Sequence, residues 1–449
     1  MTRRTAVRVG LSALSSCPFN PLKPAAVVRA VEVGPDRHVG NLQTIQAEPC
    51  IAAHPSKPDT LIVSAAEFVE GRFQAKAYAS QDAGKTWNAT EPDRSEGSIF
   101  SVNNWVSYGG DGTAYYSILG HPAGGENYIG VCRSADGGRS WKDPVKVPGQ
   151  SYDQPRIVAN TGKGAAMVYV AAKLDGIAVL RSSDAGASFE IASRVAPSNL
   201  GAQPRNPLIL EDESLLIPFA DFPSEPDQPV TASRIYVIRS VDGGASFDRP
   251  RYVADVPRAF PGGGVAFATD LSRGPFRGRI YAVWEDGDFG GKIVSRTPKF
   301  QREESGSHRE LAISYSANHG RKWSAAKRMA APDSGPMFMG CAAVAPDGTL
   351  GLLWIQHEKY EKNPRDYSVR FAASTDGGET FTPPQVVSSA ISRPNRAELA
   401  KIDYLATRPR GGDYNGLAAA SDSTFHAVWA DARDGLFHIF HAPIRVVPR

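Results

Sequence analysis

The sequence predicts an all-β protein, a β-propeller of four-stranded antiparallel blades, with seven blades favoured and six as the alternative. Three observations lead to this prediction. A short pattern recurs six times at roughly blade-sized intervals, each copy lies between two alternating apolar runs, and the 449 residues include 43 glycines and 34 prolines. That excess of turn-forming residues is typical of a chain with many short strands.

The recurring pattern is S-x-D-x-G-x-[TS]-[WF]. Five copies are complete, and a sixth, SANHGRKW, has Asn for Asp and Lys for the hydroxyl residue. The central positions are spaced by 54, 48, 58, 76 and 58 residues. They are Asp82, Asp136, Asp184, Asp242, Asn318 and Asp376. Because alternating runs flank each copy, it reads as the loop between the third and fourth strands of a blade, with the Asp accepting N–H groups of its own turn. These are therefore folding residues.

The remaining strands also repeat. A first strand often starts near a proline, and a second strand follows after a short turn, which gives the four strands per unit that a blade requires. The units begin near Glu48, Ser101, Gln154, Gln203, Gly264, Gly340 and Gly416. The last unit has no loop pattern after Phe440, so we expect the segment PAAVVRAVEV near the N-terminus to supply its outer strand and close the ring.

Outside the repeats, two segments do not follow the strand pattern. Residues 1–24 read as a leader or disordered segment before a propeller over residues 25–449. Leu14 to Cys17 resembles a lipobox, so export or lipid anchoring and a cytoplasmic location both remain open. The stretch Ser392 to Arg410 fits no strand period and predicts a short helix at RAELAKI, Arg396 to Ile402.

Composition excludes several classes of function. Lys and Arg total 50 against 47 for Asp and Glu, a net charge of +3, which argues against a nucleic-acid partner. The sequence contains no run of about 20 apolar residues, so no transmembrane segment is predicted. The four cysteines lack metal-ligand spacing, and no cofactor or metal is expected. The acidic ends of the second strands leave calcium as an alternative to solvated carboxylates; they are Glu67, Asp221, Glu285, Asp286 and Asp431.

Loop lengths predict the functional face. Connections from second to third strands are long and varied, and in an up-and-down blade they emerge where the first strands begin. Arg156 and Arg205 are 49 residues apart in matching QPR contexts, so they should project alike from neighbouring blades. Two guanidinium groups on one rim suit a carboxylate or other anionic ligand, although each could instead pair with an acidic residue of the next blade. The rim residues expected to converge are Glu48, Asn104, Asp153, Gln154, Arg156, Gln203, Arg205, Asp413 and Tyr414.

The repeated loop resembles the Asp-box, or BNR repeat, of the sialidase superfamily, and the resemblance covers nearly all of the chain after about residue 44. In that family an arginine triad grips the sugar carboxylate, a Tyr assisted by a Glu is the nucleophile, and an Asp is the acid/base. The resemblance implies Tyr414 as nucleophile, with Asp413, Asp153 and Glu48 as the candidate carboxyls. Its first-blade arginine has no counterpart here, because the strand start reads AEPCIA with Glu48 in that place.

These observations support two functions from different classes. The first is an exo-acting, retaining glycoside hydrolase on sialic or related acidic sugars, with Arg156 and Arg205 binding the carboxylate and Gln154, Gln203 and Asn104 lining the substrate site. The second is a non-catalytic propeller that binds a glycan, a peptide or a protein partner through the same face. Another hydrolase or a lyase acting on acidic polysaccharide is a third alternative.

Overall fold

A computed structural model describes most of the chain. The described residues are 29–40, 42–92, 98–122, 125–149, 152–160, 166–174, 176–195, 201–222, 233–256, 264–287, 309–329, 335–358, 366–406 and 408–448. The predicted leader, residues 1–24, lies outside them, as do most of the long connections between second and third strands.

Seven antiparallel sheets form the ring of a seven-bladed β-propeller, which confirms the predicted fold and the favoured blade number. Two strands precede blade 1: β1 (Arg29–Val33) and β2 (Arg37–His38). Blade 1 contains β3 (Ile45–Ala53), β4 (Leu61–Val69), β5 (Arg72–Ser80) and β6 (Asn88–Thr90). Blade 2 contains β7 (Ser98–Tyr108), β8 (Ala114–Pro122), β9 (Tyr128–Ser134) and β10 (Val145–Pro148). Blade 3 contains β11 (Asp153–Ala159), β12 (Val168–Lys173), β13 (Ile177–Ser182) and β14 (Glu190–Val195).

The inner strand of blade 4 is split, because Pro204 and Pro207 cannot donate to the sheet. Blade 4 contains β15 (Gly201–Pro204), β16 (Leu208–Ile209), β17 (Leu215–Phe222), β18 (Ser233–Ser240) and β19 (Arg251–Val256). Blade 5 contains β20 (Val265–Thr269), β21 (Ile280–Gly287), β22 (Arg309–Ser316) and β23 (Lys327–Met329). Blade 6 contains β24 (Met337–Val344), β25 (Leu350–His357), β26 (Tyr367–Ser374) and β27 (Gln385–Val386). Blade 7 contains β28 (Gly416–Ala419), β29 (Phe425–Asp431) and β30 (His438–Pro448).

The fourth strand of blade 7 comes from the other end of the chain, as predicted. β1 pairs antiparallel with β30, in a register that joins Arg29 to Pro448 and Val33 to Ile444. This pairing closes the ring and leaves blade 7 with the same number of strands as its neighbours.

Five of the repeated loops form the same hydrogen-bonded turn, and the sixth forms it without the last side-chain bond. In the first, the Ser80 hydroxyl donates to Asp82 and accepts from the Gly84 N–H, both at 2.8 Å, while Asp82 accepts the Thr86 N–H and hydroxyl at 2.9 and 2.7 Å. In the degenerate sixth loop, Asn318 still accepts from Ser316 and from the Lys322 N–H. The predicted folding role is therefore confirmed, and the aromatic that ends each loop packs against a hydrophobic cluster.

Two short helices lie between blades 6 and 7. α1 (Arg396–Leu399) confirms the predicted helix, and the Asn395 side chain caps its first N–H groups. α2 (Asp403–Ala406) follows directly. Neither helix of the described chain has the length or apolar character needed to cross a bilayer.

Candidate functional site

A β-bulge interrupts the inner strand in four blades. The pairing register shifts next to one residue of positive φ in each, and a bulge of this kind redirects the side chains that follow it. These residues are Glu48 (φ 56°), Asn103 (φ 58°), Gln154 (φ 49°) and Met339 (φ 52°). The inner strands therefore turn toward the ring axis at corresponding positions.

A cavity of about 140 Å³ lies on the axis of the ring. Each blade lines it with the residue at the corresponding inner-strand position, besides neighbouring residues in most blades: Cys50, Trp105, Arg156, Arg205, Ala266, Cys341 and Gly416. Asp413 and Tyr414 also line it. The two QPR arginines, one repeat unit apart, thus occupy the same position in neighbouring blades, and both line one cavity.

Arg156 is held between aromatic rings. Its guanidinium carbon lies 4.1 Å from the ring centroid of Trp105 and 4.4 Å from that of Tyr414. The residue is only 4% exposed, and its Nε has no hydrogen-bond partner among the described residues. The stacked rings fix the orientation of the guanidinium and leave that N–H available to a ligand.

Arg205 is buried beside this first arginine. Burial and the charge of Arg156 lower the pKa of Arg205 to about 9, although Asp413 and Asp153 act in the opposite direction. At neutral pH Arg205 therefore stays charged. Two cations largely removed from water form a site that an anion would stabilise.

Tyr414 is hydrogen-bonded to Glu48. Its hydroxyl donates to Glu48 Oε2 at 3.2 Å and lies 3.4 Å from the backbone oxygen of Asn104. The same carboxylate accepts the Asn103 N–H at 3.1 Å and the hydroxyl of Tyr404.

Ionisation of this pair follows from its burial. Burial and the charge of Asp413 raise the pKa of Glu48, and burial together with Glu48 raises the pKa of Tyr414 well above its usual range. The phenol is therefore protonated at rest, and the carboxyl next to it has a raised affinity for a proton.

Asp413, which lines the cavity, forms an ion pair with a residue outside the lining. Arg408 Nε lies 3.3 Å from Asp413 Oδ1, and the guanidinium of Arg408 stacks over the ring of Tyr404 at 3.9 Å. Burial lowers the pKa of Arg408, but the attraction of Asp413 raises it overall. Arg408 is not among the residues that line the cavity.

The other predicted site residues lie around the cavity rather than on it. Asp153 is half-buried and accepts from the Asn103 side chain at 3.2 Å. Asn104 donates to the backbone of Ala65. Gln154 and Gln203 are buried, and the side-chain oxygen of each has no partner among the described residues.

Sequence reasoning missed Tyr404 and Arg408. Both lie in or just after α2, within the stretch that fits no strand period and leads directly into blade 7. No sequence signal indicated them, because the helix predicted from the sequence ends at Ile402 and Arg408 lies outside α2.

The acidic ends of the second strands are engaged by protein groups. Glu67 accepts from Tyr78, Glu285 from the Met339 N–H, and Asp431 from Trp429 and Arg433. Within the described ranges, no cluster of three or more His, Cys, Asp or Glu side chains is arranged to hold a metal ion.

Several solved structures resemble this chain at low sequence identity. No protein-family model matches the sequence, and no curated protein matches it. A protein of unknown function from Dyadobacter fermentans is 16% identical, with a TM-score of 0.48, over 93% of this chain and 99% of the other. A Hadza microbial sialidase is 13% identical, with a TM-score of 0.45, over 90% of this chain and 66% of the other. An α-L-arabinanase from Penicillium chrysogenum is 13% identical, with a TM-score of 0.46, over 76% and 92%.

Proposed function

We propose that this propeller is an exo-acting, retaining glycoside hydrolase that binds the carboxylate of an acidic sugar, of the sialic acid class, in its axial cavity. One observation carries the proposal. The buried guanidinium groups of Arg156 and Arg205 line the same cavity as Tyr414, whose hydroxyl is hydrogen-bonded to Glu48.

The cavity suits the end of a sugar rather than a long chain. Its volume of about 140 Å³, close to that of a cavity that holds one benzene ring, admits the carboxylate and anomeric end of one sugar, with the rest of that sugar outside the cavity. A carboxylate placed between the two arginines would relieve the repulsion between them and accept bidentate hydrogen bonds. Both features support action at the non-reducing end of a glycan.

Tyr414 is assigned the nucleophile. An anomeric carbon that bears a carboxylate repels an attacking carboxylate, whereas a phenol carries no charge until it reacts. In the first step the Tyr414 proton passes to Glu48 Oε2, the phenolic oxygen bonds to the anomeric carbon, and the bond to the aglycone breaks. The guanidinium of Arg156, over the Tyr414 ring, would stabilise the developing phenolate.

Asp153 is the better candidate for the acid/base. It is half-buried and, in the described part of the chain, accepts a hydrogen bond from Asn103, whereas Asp413 is paired with Arg408. Asp153 would protonate the leaving oxygen and then activate the water that releases the sugar from Tyr414.

The test is release of a fluorogenic aglycone from a panel of acidic glycosides, starting with an α-sialoside. Tyr414→Phe keeps the ring that packs against Trp105 and Arg156 but removes the nucleophile. Turnover should fall by a factor of about 10³ or more, and the free sugar should still bind. Tyr78→Phe is the matched control, because Tyr78 is also a buried tyrosine bonded to a glutamate, Glu67, but lies outside the cavity. An inactive wild type, or a Tyr414→Phe variant with full activity, contradicts the proposal.

One observation favours binding without hydrolysis as the second candidate. In the described part of the chain, two arginines line the cavity, Arg156 and Arg205. A third arginine near the site, Arg408, pairs with Asp413 and is not part of the lining. A binding protein would retain an acidic sugar, measured by calorimetry with N-acetylneuraminic acid, and lose it in Arg205→Ala. Wild-type protein would release no aglycone from any glycoside in the panel.

A further inference from the structure

A second concave site lies between blades 4 and 5, away from the axis. It is a groove of about 670 Å³ and shares no lining residue with the axial cavity. One wall is the outer strand β19 of blade 4, and the other is β21 with the loop and outer strand of blade 5. The lining residues used below are Tyr252, Asp255, Trp284, Asp286, Lys322, Trp323 and Arg328.

Trp284 is one of three tryptophans at corresponding positions of the second strands in blades 5, 6 and 7. In the other two blades the indole N–H donates to the side chain two residues further along the strand. Trp354 Nε1 donates to Gln356 at 3.1 Å, and Trp429 Nε1 donates to Asp431 at 3.0 Å. The arrangement satisfies an N–H group that would otherwise be buried without a partner.

In blade 5 the corresponding acceptor is turned away. Asp286 accepts the Gly287 N–H at 2.9 Å and Arg328 Nε at 2.7 Å instead. Trp284 is 2% exposed, and its indole N–H has no hydrogen-bond partner in the part of the chain that the structure describes. A buried donor left unbonded is unfavourable, so a ligand atom that accepts from it would gain affinity.

The rest of the groove determines the chemistry of that ligand. Tyr252 is 51% exposed, and Trp323 is half-buried on the facing wall. Aromatic faces of this kind stack on the C–H faces of sugar rings, and the tyrosine hydroxyl adds a polar contact.

Charge distinguishes this groove from the axial cavity. Its two carboxylates, Asp255 and Asp286, are balanced by Lys322 and Arg328, so the lining has no net charge. The axial cavity, in contrast, has two buried arginines. Charge complementarity therefore favours an uncharged ligand in the groove.

We propose that the groove between blades 4 and 5 is a binding site for neutral oligosaccharide, with Tyr252 and Trp323 as stacking platforms and the Trp284 indole N–H as a donor to a sugar oxygen. The site is independent of the axial cavity and would hold the protein on a neutral glycan whether or not the cavity is catalytic.

The test is binding of the full chain to an array of neutral and acidic oligosaccharides, followed by calorimetric titration with the best neutral compound. Tyr252→Ala removes an exposed platform and should weaken neutral binding about tenfold or more. Trp284→Phe removes the indole N–H donor and leaves a smaller aromatic ring in its place. The affinity for the neutral oligosaccharide should fall about fivefold. Trp354→Phe is the matched control at the corresponding position of blade 6 and should leave affinity unchanged.

Arg205→Ala separates this inference from the proposed function. It should abolish acidic-sugar binding and leave neutral-sugar binding intact. The inference is overturned if no neutral oligosaccharide binds, if Tyr252→Ala binds it as well as wild type, or if the groove instead selects peptides from a displayed library in a Tyr252-dependent way. Circular dichroism of each variant establishes that it is folded.

Discussion

The surroundings of Arg205 disfavour the positive charge of its guanidinium group. Burial and the neighbouring Arg156 lower its pKa to about 9, so the charged form is less favourable in the folded chain than in the unfolded one. This destabilisation is fully present below about pH 9 and fades as pH rises toward the ordinary pKa of arginine. A residue that weakens the free protein in this way is expected where a bound anion would stabilise the charged form.

We therefore expect Arg205→Met to raise the free energy of unfolding of the free protein at pH 7 by about 1–4 kcal/mol, because a buried charge is replaced by an apolar side chain of similar length. The same variant should lose all stabilisation by an acidic sugar. Urea denaturation with and without the sugar measures both effects. Arg408→Met is the matched comparison and should be destabilising, since it leaves Asp413 without its ion-pair partner.

The site residues were predictable only where the repeat determines them. Arg156 and Arg205 follow from one unit of spacing, because corresponding positions of neighbouring blades face the same axis. The hydrogen bond from Tyr414 to Glu48 joins residues near opposite ends of the chain. It depends on the bulge at Glu48. Neither a glutamate nor its sequence neighbours indicate that this residue adopts a positive φ.

At the scale of elements, nearby residues determine the six repeated loops, whereas no nearby sequence pattern predicts the four inner-strand bulges. Every hydrogen bond of a loop lies within a few residues of the repeated Ser and Asp, so the pattern alone predicted the turn. The bulges occur at Glu, Asn, Gln and Met, residues with no shared conformational preference, so no local pattern predicted them.

Asp242 shows how a loop should respond to acid. The Ser246 hydroxyl, the Ser246 N–H and the Ser240 hydroxyl lower the pKa of Asp242 to about 2. Because the folded pKa is below the unfolded value of about 3.9, the ionised loop stabilises the fold above pH 4 and loses that stabilisation as pH falls toward 2.

Asp242→Asn should therefore lower stability at pH 7 and flatten its decline between pH 4 and 2. Asn318→Asp, in the degenerate loop, should steepen that decline. Urea midpoints followed by circular dichroism from pH 7 to 2 test both. Parallel profiles for the two variants and the wild type would show that the loop carboxylates do not titrate with folding.

At the scale of the whole molecule, the number of blades and the closure of the ring were both readable from the sequence. Seven first-strand and second-strand pairs against six loops left one blade short of a strand, and β1 supplies it. The side-chain contacts that hold β1 in place were not readable, because no repeated pattern places Asp36 against residues of blades 6 and 7. Asp36, just after β1, accepts the Ser389 N–H at 2.8 Å and its hydroxyl at 2.7 Å, and pairs with Arg433 at 2.8 Å.

These contacts tie the N-terminal segment to blades 6 and 7 at once, so Asp36 should stabilise the closed ring. Asp36→Ala removes charge-assisted hydrogen bonds from a side chain that is 6% exposed, and should lower the free energy of unfolding by about 1.5–3 kcal/mol. Glu32→Ala changes an exposed carboxylate of β1 itself and should shift stability by no more than about 0.5 kcal/mol. Hydrogen exchange locates the effect, since the amides of Val31 and Val446, paired across the closure, should exchange faster in Asp36→Ala but not in Glu32→Ala. Equal exchange in the two variants would mean that strand pairing alone, without the Asp36 contacts, keeps the ring closed.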